Sequence, residues 1–172
     1  FTDYKFMELG RFDYTREDTL AFHNAVERIV TPELVRRSKE RASKLGVDVL
    51  RPWDLAVDET GLPPLTPFKS TDELTERVIR MFDRLDSRIG ANISTMRQMG
   101  HLDLDSRMGK APGGYNYSLP ETGVPFIFMN AVGTQGDIVV MLHECGHAIH
   151  SFAIRNIGVS EFKQLPAEIA EL

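Results

Sequence analysis

The segment from Thr134 to Asn156 constrains this chain more than any other part of it. Its apolar residues, Ile138, Val139, Val140, Met141, Leu142, Cys145, Ala148, Ile149, Phe152 and Ile154, fall at spacings that surround a helix instead of marking one stripe. A helix that is apolar all round is a buried helix. Thr134, followed three residues later by Asp137, has the form of a capping box with Asp in place of the usual Glu or Gln. Gly158 offers a stop. Polar side chains inside such a helix need partners or a task, because burying them bare is costly. Here they are His143, Glu144, His147 and His150.

His143 and His147 are four residues apart, so they project from one face on successive turns, close enough to share one tetrahedral zinc ion. Glu144 lies about 100° round the helix from His143. From there its carboxylate reaches a metal-bound water without ligating the metal. Zinc lowers the pKa of such a water towards ~7, and Glu144 takes the proton as the water attacks a peptide carbonyl. The same side chain then returns a proton to the departing amine. The His-Glu-x-x-His pattern also arises by accident, and a pair of core histidines bonded to backbone is the plain alternative. Three of the five histidines fall between positions 143 and 150, mid-helix, which favours the metal.

A catalytic zinc needs a third protein ligand and leaves its fourth position to water. The metzincin continuation requires Gly at 150 and His at 153, where this chain has His150 and Ala153, so that class is excluded. Acidic candidates downstream are Glu161, Glu168 and Glu171. The last two sit three apart in what reads as the start of a helix opened by Pro166, and spacing does not choose between them. A purely structural zinc site is normally closed by four Cys or His ligands, unlike this set. His150 shares the face of His143 and His147. Two roles stay open for it: orienting a ligand from behind, or packing one turn beyond the site.

At 172 residues the chain suits one domain with a real core. Hydrophobic residues at 42% and charged residues at 26% are ordinary for a soluble globular protein, here expected to be cytoplasmic. A net charge of -5 supplies no basic excess for phosphates, which argues against a nucleic-acid partner. No run approaches the roughly 18 uninterrupted apolar residues of a membrane span. Cys145 is the single cysteine, which excludes an internal disulfide. Its place about 200° from His143 turns it to the core as a structural thiol. The absence of an initiator Met and the end at Leu172, inside a helical pattern, lead to the expectation of a longer native protein.

Thr15 caps an expected helix reaching Val30, and Thr31-Pro32 restarts a second one that stops at Gly46. Its Arg, Lys and Glu residues read as a solvated face. Pro52, Pro63, Pro64 and Pro67 mark an extended connection, expected to pack over a neighbouring helix. A long helical stretch follows from Ser70 to about Met99, with a bend near Gly90. From His101 to Gly123 the signals are those of a loop. Val124–Asn130 reads as a short strand near a sheet edge, where Pro125 does no harm. Such an edge offers a substrate backbone a place to pair, or the apolar residues are simply core. The chain thus divides into a helical portion (1–100), a loop and strand (101–130) and zinc-binding helices (131–172).

Taken together, several motifs resemble the thimet-oligopeptidase-type zinc peptidases, most closely their oligoendopeptidase F branch. They are Gly109-Lys110-Ala111-Pro112-Gly113-Gly114-Tyr115, Pro125-Phe126-Ile127-Phe128-Met129-Asn130, Gly136-Asp137, the stretch from His143 to His150, and Pro166-Ala167-Glu168-Ile169-Ala170-Glu171. Upstream, Leu50-Arg51-Pro52-Trp53-Asp54-Leu55 and Leu62-Pro63-Pro64-Leu65 extend the likeness over nearly the whole chain. The resemblance implies a mainly α, zincin-like helical core, with a small β-sheet beside the active-site helix. It implies a deep channel that admits short peptides, and a gluzincin ligand set of His143, His147 and Glu171, with Glu168 behind it or exposed. It also places Gly113, Gly114 and Tyr115 over the channel, against the plain reading of a flexible connection. Family members are several times longer, and their downstream Tyr and His residues have no counterpart here. The isolated chain is therefore expected to bind zinc weakly and turn over little peptide, since losing one oxyanion donor costs about 10²–10³ in rate.

Overall fold

A computed structural model describes residues 14–165 and 167–171. They form two compact units that divide between Pro64 and Leu65, inside the proline-rich connection. In the first unit Thr15 starts helix α1 (Arg16–Ala25) through a capping box, accepting from the Asp18 N–H at 3.1 Å while Asp18 accepts the Thr15 N–H at 2.9 Å. The expected restart at Thr31 does not occur. A π turn, Val26–Val30, carries the chain directly into helix α2 (Thr31–Leu45), and Thr31 has helical backbone angles. Pro32 has no N–H to donate, and the wide turn before it absorbs the missing bond without ending the helix. The Thr31 hydroxyl reaches back to the Val26 carbonyl at 3.4 Å.

Helix α2 ends at Gly46, whose φ of 67° is left-handed, with Val47 N–H returning to the Ala42 carbonyl at 3.0 Å. Arg41 then gathers the chain that follows, donating to the carbonyls of Asp54, Leu55 and Val57 and to the Glu59 carboxylate. None of the described residues up to Pro64 is buried, so the charged face of α2 is solvated as expected. Leu62 and Leu65 are each 66% exposed, so the proline-flanked leucines do not pack over a helix as expected.

The second unit opens with helix α3 (Thr71–Leu85), capped by the Ser70 hydroxyl on the Glu73 N–H. The expected bend at Gly90 lies instead at Asp86, an extended residue whose carboxylate accepts the Arg88 N–H at 2.8 Å and starts helix α4 (Ser87–Gln98). Arg88 holds the Asp86 carboxyl down at about 2, so the cap stays ionised. Gly90 has another part. A Cβ there would lie 1.8 Å from Asp83 Oδ1, so its bare backbone lets α4 run close to α3. The turn-like segment after α4 also departs from expectation, for it holds two strands. Strands β1 (Leu102–Asp105), β2 (Tyr115–Tyr117) and β3 (Phe126–Ala131) form one sheet in the order β1-β3-β2.

β3 is the central strand, parallel to β1 and antiparallel to β2, and not the edge strand expected from Pro125. Pro125 precedes the first paired residue, so its missing donor costs the ladder nothing. Burial alternates along β3. Ile127, Met129 and Ala131 enter the core with Leu74, Val78, Ile93 and Met96 of the two preceding helices, while Phe126, Phe128 and Asn130 point to the other face. Helix α5 (Gln135–Ile154) packs on the inner face through Met141, Cys145, Ala148 and Phe152.

The apolar surround of α5 is not fully used, however. Val139 is 62% exposed and Val140 38%, so the helix is buried along one side only. Asp137 caps it by accepting the N–H groups of Val132, Gly133 and Thr134 at 3.0, 2.9 and 2.7 Å. The helix ends at Ile154, four residues before Gly158, which is not left-handed and does not serve as its stop. A short helix α6 (Ala167–Ala170) follows; Pro166 lies outside the described residues.

One-sided burial of α5 sets a contrast that urea denaturation resolves. Met141→Ala, at a site with no exposure, should cost about 2–5 kcal/mol. Val139→Ala should stay within about 0.5 kcal/mol of the parent. Equal costs would show that both faces of α5 are packed.

Candidate metal centre

Two turns of α5 and the residue after α6 build the site. The Nε2 atoms of His143 and His147 lie 3.1 Å apart, their rings edge to face at 84°. Glu171 closes the triangle, with Oε2 3.1 Å from His143 Nε2 and Oε1 3.6 Å from His147 Nε2. These donor atoms all lie within 4.8 Å of one another. An ion held tetrahedrally at ~2.0–2.1 Å from nitrogen and oxygen spaces its ligand atoms about 3.3 Å apart, and these separations fit that edge. The donor set also suits a divalent ion, with two imidazole nitrogens and one carboxylate. Among the described residues this is the one group of three or more His, Cys, Asp and Glu side chains so arranged.

Of the three acidic candidates, Glu171 stands in the cluster. Glu161 instead accepts the Ser160 hydroxyl at 3.1 Å, and the side chain of Glu168 lies outside the described residues. His150 is half-buried and, among the described residues, bonds to neither histidine nor to Glu171.

Glu144 is 6% exposed, although its neighbour His143 keeps 46% of its side chain open. Burial pushes the Glu144 carboxyl above the ordinary carboxylate range; His147 and His143 oppose the shift, Glu171 adds to it, and the Asn116 N–H eases it. Strand β2 frames this side of the helix, with Asn116 Nδ2 donating to the Glu144 carbonyl at 3.4 Å. Cys145 is fully buried, and its dry surroundings push the thiol up to about 12.

Of the loop residues singled out in the sequence, Gly114 lies nearest the helix, since a Cβ there would meet Val140 Cγ1 at 3.2 Å. Tyr115 pairs with Phe128 across the ladder and stacks on its ring at 4.9 Å, on the sheet face away from α5. Three residues that sequence reasoning passes over also shape this region: Asn116, Asn130 and Lys110. Asn130 Nδ2 donates to the carbonyls of Ala111 and Gly113 at 2.9 and 3.0 Å. Lys110 is buried to 1% side-chain exposure and bridges Asp103, Asp105 and Met129. The alternation of Tyr115-Asn116-Tyr117 is the available signal for Asn116; a lone lysine in a glycine-rich loop offers none.

The sequence of the whole chain, residues 1–172, matches the model of peptidase family M3, and the chain belongs to that family. Within it, the chain is similar to an oligoendopeptidase F homolog of Lactococcus lactis subsp. lactis (strain IL1403), at 21% identity over 96% of this chain and 28% of that protein. Its fold matches the structure of PZ peptidase A with inhibitor 2 at a TM-score of 0.84 and 32% identity, covering 95% of this chain and 29% of that one. It also matches a Bacillus anthracis str. Ames protein assigned as an oligoendopeptidase F, at a TM-score of 0.85 and 29% identity over 95% and 30% of the two chains. The chain thus spans under a third of the length of these relatives. The mainly helical fold with a small sheet, and the likeness to oligoendopeptidase F, agree with the sequence-based expectation. Among the described residues no helix is long and apolar enough to cross a membrane.

The burial of Cys145 has a direct chemical consequence. An aromatic disulfide reagent at pH 8 should leave the native thiol unmodified for hours and titrate one thiol per chain in denaturant. Rapid native labelling would place Cys145 on an open face of α5.

Proposed function

We propose that this chain is the metal-binding portion of a zinc peptidase that cleaves short peptides, with His143, His147 and Glu171 as ligands and Glu144 as general base. The observation that carries the reading is the triangle of donor atoms, with Glu144 buried beside it. Membership of peptidase family M3 supports it, as does the likeness to oligoendopeptidase F. A zinc ion bound there supplies a water of lowered pKa and polarises a carbonyl oxygen.

The rest is the work of the chain's own groups. Glu144 accepts a proton at its carboxylate and later gives it to the leaving amine. Burial suits it to both steps by raising its proton affinity towards neutral pH. A peptide backbone in extended form pairs with the outer edge of β2, the strand beside Glu144; that edge is unpaired among the described residues, whereas β3 is occupied on both sides. Gly113 and Gly114 border that edge. Tyr115 supports it from the far face by stacking on Phe128. His150, on the face of α5 that carries both histidines, is read as supporting them from one turn beyond. The protein is read as cytoplasmic, with peptides as its partners and no nucleic acid or membrane.

The test is zinc content by elemental analysis, together with cleavage of a quenched fluorescent peptide by the natural protein that carries these residues. Glu171→Ala should remove the metal. Glu144→Gln should keep it while lowering kcat/KM by about 10²–10⁴. A metal-free parent, or a Glu144→Gln variant of full activity, would overturn the assignment.

A further inference from the structure

The motif Gly109-Lys110-Ala111-Pro112-Gly113-Gly114-Tyr115 contains a lysine that no catalytic role absorbs. Its ammonium donates to the Asp103 carbonyl at 2.9 Å, the Asp105 carbonyl at 2.8 Å, the Asp103 carboxylate at 3.1 Å and the Met129 carbonyl, and it lies 4.4 Å from the centre of the Phe128 ring. An ammonium at 1% side-chain exposure is held in place only by a full set of acceptors.

The sheet explains why the acceptors are there. Between Asp103 and Asp105 the register slips, for β3 advances from Phe128 to Ala131 while β1 advances from Asp103 to Asp105. A bulge of this kind leaves carbonyl groups without ladder donors. The Lys110 side chain fills that gap.

The loop that Lys110 begins is pinned again three residues on, where Asn130 holds the carbonyls of Ala111 and Gly113. Directly after this second peg, Gly114 passes Val140 of α5, and β2 begins. β2 in turn holds Asn116 against Glu144. The path from the bulge to the main chain of Glu144 is therefore short, and each step of it is a bond or a close packing contact.

We propose that Lys110 is a positioning residue: by plugging the β1–β3 bulge it fixes the Ala111–Gly114 loop, and so holds the peptide-pairing edge of β2 at a set distance from Glu144 and the metal ligands. The inference rests on the peptidase reading above for its substrate, but not for its geometry. Loss of Lys110 loosens the edge on which peptide is captured, and leaves His143, Glu144 and His147 in place on α5 and Glu171 in place after α6. Peptide binding weakens more than the chemical step.

The experiment uses the natural protein that carries this chain, with Lys110→Met and Asn130→Ala. The second variant removes the other peg from a half-buried position, so it reports even where the first does not fold. Steady-state cleavage of a peptide should show KM raised about tenfold in Lys110→Met, and less in Asn130→Ala, with kcat changed under about threefold. Zinc content should be unchanged. A role in stability alone would lower the active fraction, and so kcat, with KM constant; that result overturns the proposal. Hydrogen exchange is followed in parallel, because it needs no turnover. Amides 114–117 should exchange about ten times faster in either variant while those of α5 do not. A parent without peptidase activity would sink the functional reading, and the exchange result would still decide the role of Lys110. Unchanged exchange at 114–117 in both variants would refute it.

Discussion

Helix α5 has to keep adjacent side chains in opposite surroundings, and the rest of the second unit is arranged around that demand. A step of about 100° per residue places Met141, Cys145, Ala148 and Phe152 on one dry stripe and His143 with His147 on a wetter one. Glu144 falls on the border between them. Its position is useful only while something dry covers one side and the two histidines stand open on the other. The inner face of the sheet, through Ile127 and Met129, provides that cover. The carboxylate of Glu171 provides a partner on the open side.

The dryness of this border is visible in two groups with different chemistry. Both the Glu144 carboxyl and the Cys145 thiol hold their protons more tightly than they would in water, and burial is the first cause in each case. For the carboxyl the effect is moderated by the imidazoles and by an N–H of β2. For the thiol nothing offsets it. A neutral thiol is a poor metal ligand, so Cys145, set between His143 and His147 in sequence, would not compete with them for an ion.

Much of this arrangement is legible in the amino-acid sequence. The capping residues Thr15, Ser70, Thr134 and Asp137 announce their helices, because a cap is a local interaction written in three or four residues. The spacing of His143 and His147 announces the site for the same reason. Glu171 needs the family resemblance, since three residues of spacing cannot separate it from Glu168. What escapes a reading of the sequence is set by distant partners. The alternation in β1 and β2 runs over too few residues to separate strand from loop, and β3 becomes central only because those strands flank it. The break at Asp86 competes with a more conspicuous glycine four residues later. Lys110 is hidden because charge is ordinarily a mark of solvent, and only a fold that gathers three carbonyls round one point reverses that rule.

The π turn at Val26–Val30 carries a consequence for the helix that contains it. Each residue of an α-helix rotates the side-chain direction by about 100°, so a turn that takes in one additional residue shifts the phase of everything after it. Helices α1 and α2 are continuous as backbone yet out of step as surfaces. The azimuth at which α2 shows Leu34 and Val35 is therefore not the one that the pattern of α1 would project. Deleting a single residue between positions 26 and 30 would take out the extra residue of the π turn and swing that whole surface round the helix axis. Such an indel would redirect what the rod presents to its surroundings, and would leave Pro32 without the wide turn that accommodates it.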